Sequence, residues 1–198
     1  MSSLVISGDT SGTVTLAAPA VAGSNTLTLL AATATSSVNV SGSPTAASGT
    51  ALTYSSLPTW VKRITISIAS LQATGTALAP LVQLSTSGTF KTSGYLGAIA
   101  ASPNAIVPNA NNLANGFSTY LPAIWSPSIV LHGTITLTLL NSSTYLWTAA
   151  GNISRSDSTN SATMSGSVTL AGTLDGVRLF IDGTQTFSAG SVNILYEG

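Results

Sequence analysis

Few side chains in this sequence can move a proton, hold a metal ion or attack a bond, and their surroundings limit what those few can do. His132 is the single histidine, and cysteine is absent. Zinc and iron centres take several histidine, thiolate or carboxylate ligands, so no donor set is visible. A histidine acting as general base needs a positioned partner, and no carboxylate lies beside His132 in its strand-like run. It falls on the threonine-bearing side of residues 129–140 and reads as a hydrogen-bonded or interface histidine. The acids are Asp9, Asp157, Asp175, Asp182 and Glu197. A carboxylate pair can cleave a glycosidic bond, but Asp175 and Asp182 each precede glycine, where aspartate usually forms a turn. Asp157 lies in the polar run 154–161. No nucleophile elbow, Walker loop or dinucleotide fingerprint occurs. The expectation is a chain with no catalytic residue, no cofactor and no metal.

Binding chemistry is sparse as well. Lys62 and Arg63 form the one basic pair, too little charge to neutralise the several phosphates of a nucleic-acid site. Their expected use is a protein contact. Trp60 and Trp147 fall at strand positions and are assigned to the core. Trp125, inside the segment PAIWSP, is the candidate for an exposed contact, with Tyr95, Tyr120 and Tyr145 as candidates to join it. Such aromatics suit glycan stacking or an apolar anchor at a protein contact.

The elements that must position these residues are strands. Charged residues make up only 5% of the 198, against about 25% in ordinary soluble proteins, and no segment shows a charged face at helical period. Alternation is plain instead. Ile64, Ile66 and Ile68 share a side opposite Thr65 and Ser67; Ile135, Leu137 and Leu139 oppose Thr134, Thr136 and Thr138. The runs around Val168 and Leu170, Val177 and Leu179, and Val192 and Ile194 continue the pattern. Short strands with Gly-rich turns predict an all-β chain, an antiparallel β-sandwich of jelly-roll type. Residues 1–43 contain strand-like pieces, one charge and no aromatic residue. They read as an extended N-terminal module that needs a neighbour to pair against. Residues 44–50 read as a linker, overlapping the run GSPTAASG (42–49), and 51–198 as the sandwich. The Pro/Asn-rich span 98–127 reads as a long loop with a short strand at 117–120, a place for function.

Charge scarcity bears on partners. Five cations balance five anions, apolar residues reach 44% and mean hydropathy is positive. A surface with so little repulsion favours association. The apolar runs are interrupted by threonine well short of a spanning helix, and twelve scattered aromatics do not form the two girdles of a membrane barrel. No membrane insertion is expected. No secretion signal is evident at the N-terminus, so synthesis in a cytoplasm is expected.

Three stretches carry a resemblance. LVISGDTSGTVTLAAPAVAGSNTLTLL (4–30) resembles a module of tail fibres and other virion proteins of tailed bacteriophages. LPTWVKRITISIASLQATGTALAPLVQL (57–84) and TLDGVRLFIDGTQTFSAGSVNILYE (173–197) resemble the two ends of the β-sandwich domain that often follows it. The resemblance implies a homotrimeric, non-catalytic domain on the virion exterior. Its partners would be the major capsid protein or other virion proteins. Tail fibres carry this pair of modules at the end of a much longer chain. Here the pair fills the 198 residues, which fits a capsid decoration (cement) or head-fibre protein anchored by its N-terminal unit. The alternative is a fibre that binds host surface polysaccharide through residues 98–128.

Overall fold

The computed structural model describes the backbone of residues 3–7, 13–17, 39–102, 105–107, 114–119, 124–157, 159–181 and 183–198, and the side chains of most of these from residue 39 onward. Two compact units result, Met1–Ser36 and Ser37–Gly198. The first holds strands β1 (Ser3–Ser7) and β2 (Thr13–Ala17), an antiparallel pair in which Val5 faces Thr15.

The second unit is built of strands, and no helix occurs among the described residues. Its early strands are β3 (Asn39–Ser41), β4 (Thr45–Ala46), β5 (Ala51–Ser55), β6 (Arg63–Ala73), β7 (Ala77–Leu78), β8 (Leu81–Thr86) and β9 (Thr89–Phe90). The middle of the chain gives β10 (Leu96–Ser102), β11 (Ala105–Val107), β12 (Phe117–Ser118) and β13 (Ile124–Trp125). Five further strands follow: β14 (Leu131–Asn141), β15 (Leu146–Arg155), β16 (Ser161–Thr169), β17 (Gly176–Phe180) and β18 (Phe187–Glu197). A nine-stranded sheet runs β11-β10-β16-β15-β14-β6-β18-β3, with β4 also on β18, and a five-stranded sheet runs β12-β8-β17-β5 with β9 on β8. Every pairing is antiparallel.

Alternation puts one face of each sheet into a shared core. Along the large sheet Met164, Ile135, Ile66 and Ile194 lie in one register row and are all buried, as are Ala149, Leu137 and Ile64 two residues along. Val177 and Leu179 of β17 and Val82 and Leu84 of β8 supply the opposing layer. The two sheets form an antiparallel β-sandwich, as the alternation predicts. A hydrogen bond also joins the layers: the Tyr54 hydroxyl on β5 donates to the Val192 carbonyl on β18 at 2.9 Å.

Three expectations from sequence are corrected. The 44–50 stretch is not a free linker, because Thr45 and Ala46 pair with β18, Ala47 is buried, and its N–H donates to the Gly190 carbonyl. An edge strand needs only backbone groups on one side, so low β-propensity and Pro44 are tolerated there. The 98–127 span begins as strand, since β10 continues to Ser102 against β16. Its Gly and Ala residues hide it from propensity reasoning, yet they let the two strands approach closely. Trp60 is not core: it sits in the turn before β6, 37% exposed, against the Tyr196 ring at 5.8 Å.

Candidate functional site

The described acids and the histidine are used in local structure. Asp175 accepts from the Ser85 hydroxyl at 2.5 Å and from the Gly88 N–H at 2.6 Å, tying the β8–β9 hairpin to the start of β17. Asp157 pairs with Arg155 and accepts from the Val130 N–H. The guanidinium holds its carboxyl down to about 2 from the ordinary 3.8. Glu197 pairs with Arg63 at 3.4 Å across two neighbouring strands. His132 accepts from the Ser70 N–H at Nδ1 and meets the Ser156 hydroxyl at Nε2. Among the described residues no three metal-ligating side chains come together. Asp9 and Asp182 lie outside the described residues.

The candidate contact residues fare differently from one another. Tyr95 is corrected: it is buried, edge-on to Phe117, and its hydroxyl accepts from the Leu84 N–H at 2.9 Å and donates to the Lys91 carbonyl. Burial pushes this phenol up to about 12. Tyr145 is half-buried at a positive φ of 53° in the β14–β15 turn, beside Trp147 and Leu139 around a small cavity of about 120 Å³. Trp125 pairs through its backbone with Ala77; its side chain and the whole of Tyr120 lie outside the described residues. Lys62 and Arg63 are exposed at the end of β6, next to Trp60 and Tyr196. They form a corner patch rather than a phosphate site, and Tyr95 and Tyr145, the two candidate aromatics with described side chains, do not line one pocket.

The two outer faces of the sandwich differ in a way that sequence reasoning missed. On the small sheet, Gln83 is 1% exposed and accepts from both Nε and Nη2 of Arg178. That guanidinium lies over the Phe90 and Phe180 rings at 4.4 and 4.8 Å. Its own side chains cover the centre of this face, while Thr53 at its edge is exposed.

The large sheet leaves its outer face open. One register row across it reads Leu96, Ser167, Thr148, Thr138, Arg63 and Glu197. The next reads Ala98, Ser165, Ala150, Thr136, Thr65 and Leu195. A third runs from Ala100 through Thr163, Asn152 and Thr134 to Ser67 and Asn193. All of these residues are exposed or half-buried. Across the three rows the charged groups are Arg63 and Glu197, which pair with each other at one corner. At the opposite corner Leu96 is 69% exposed beside a shallow depression of about 530 Å³. Gly97, Gly166, Ser165 and Ser167 help line it. The glycines are needed there: a Cβ on Gly166 would lie 2.4 Å from the Leu96 carbonyl oxygen. The threonines at alternate positions were legible in the sequence, but the strand order that assembles them into a lattice was not.

No family model matches the chain, and neither a curated protein nor a solved structure matches it.

Proposed function

We propose that this chain is a non-enzymatic bacteriophage virion protein, a homotrimeric capsid decoration or head-fibre protein that reinforces the outside of the shell. The observation that supports it best is the open, nearly charge-free lattice of hydroxyl and methyl groups on the large sheet. Flat surfaces of this kind act through area and backbone-scale complementarity rather than through a reacting atom. The described acids and His132 are engaged in hydrogen bonds and ion pairs within the fold, which fits a structural role. The resemblance of residues 4–30, 57–84 and 173–197 to phage virion modules supplies the setting. In this reading the N-terminal unit attaches to the major capsid protein or its neighbours, and the sandwich associates with its copies.

The experiment is a pull-down with purified phage particles and a truncated chain. Because residues 39–46 complete the large sheet, the cut belongs at Ser36 and not at residue 43. Loss of particle binding by 37–198, with its circular dichroism intact, is the expected result. Full binding by the truncated chain would defeat this division of roles. Quantitative mass spectrometry of virions should find a copy number comparable to the shell subunit; a low number confined to tails would replace decoration with a fibre.

A further inference from the structure

We propose that the outer face of the large sheet is the contact surface between copies of this chain, with Leu96 of one copy seated in the depression beside Leu96 of the next. The inference rests on the reading of the chain as an assembly protein and names the surface that assembles it.

Four observations converge on this face. Leu96 is the most exposed large apolar side chain described, at 69%. The shallow depression beside it is walled by Leu96 itself and otherwise by glycine, alanine, serine and threonine, whose small side chains leave room for a second leucine. Asn39 and Ser41 of β3 extend the first two rows beyond Glu197 and Leu195, so seven strands contribute to them. At a spacing of about 4.8 Å and a rise of about 3.4 Å per residue, three rows span roughly 30 by 20 Å. Two copies would then bury about 1,200 Å², the lower bound for a specific stable interface.

The occupant follows from the chemistry. An acidic partner or a nucleic acid needs free cations, and the one cation within the three rows, Arg63, is paired with Glu197. A second copy offers the same uncharged hydroxyls and methyls, and it brings both the projecting leucine and the hollow. These lie side by side, so copies related by an axis near Leu96 each fill the hollow of the next.

Sedimentation velocity of the full chain tests this, using Leu96→Lys and Ala150→Lys, with Thr53→Lys on the small sheet as control. All three positions have exposed or half-buried side chains. The wild type should sediment as a multiple of 19.8 kDa, and Thr53→Lys should match it. Each lysine on the face should weaken association by more than about tenfold, with circular dichroism unchanged. Wild-type behaviour from both face variants, or a monomeric wild type at its highest soluble concentration, would overturn the proposal. Association lost in Leu96→Lys supports the face even where no virion component binds, so this inference and the virion reading fail separately.

Discussion

Tyr54 shows how a single hydroxyl can tie two layers: its O–H donates to the Val192 carbonyl across the sandwich, and burial raises its pKa. Tyr54→Phe removes the donor and should lower stability by about 1 kcal/mol, measured by urea unfolding. Tyr95 is a stronger case. With its pKa pushed up to about 12 from 10.0, the folded state keeps this phenol protonated where the unfolded chain ionises it. Its contribution is therefore complete below pH 10 and lost as pH rises toward 12. Absorbance titration should show a tyrosine that ionises only as the chain unfolds, and Tyr95→Phe should abolish that late step. Asp157 runs the other way. Its pKa lies below the ordinary 3.8, at about 2, so its pairing with Arg155 stabilises above pH 4 and fades as pH falls through 2. The gap in melting temperature between wild type and Asp157→Asn should be present at pH 6 and shrink to nothing near pH 2.

At the scale of elements, β18 meets β6 through two register shifts, between Phe187 and Ala189 and between Ala189 and Ser191. Gly190 occupies the irregularity at φ 100°, and a Cβ there would lie 2.5 Å from the Ser70 carbonyl oxygen. Gly190→Ala should cost about 1–3 kcal/mol in chemical denaturation, well above a typical exposed substitution. The apolar alternation of β6, β14, β17 and β18 was readable from residues such as Ile64, Ile66 and Ile68, because burial on one side imposes period two. β10 was not readable, since Leu96-Gly-Ala-Ile-Ala-Ala-Ser lacks β-branched residues on its open side. β4 was hidden for a related reason: an edge strand of Thr and Ala draws its stability from β18, not from its own propensity. Tyr95 was misplaced as a contact residue because its loop-like neighbours Ser93 and Gly94 say nothing about the ring beneath them, which packs on Phe117. The candidate face depends on pairings between β10 and β16 and between β14 and β6, which join residues far apart in the chain. No local pattern encodes such pairings.

For the whole molecule, the balance of five cations and five anions means that contacts made by the large sheet draw little from Coulomb attraction. Association should be nearly indifferent to ionic strength between 50 mM and 1 M chloride (screening lengths of about 14 to 3 Å), as read by sedimentation, and should strengthen in sulfate. The position of β18 has a different consequence. It lies between β6 on one side and β3 and β4 on the other, yet a ribosome delivers it after all three. Until residues 187–197 emerge, β6 presents a bare hydrogen-bonding edge, and β3 and β4 have nothing to hold. A nascent or stalled chain would thus expose an aggregation-prone template, and chaperones that shield strand edges during translation become a condition of its yield.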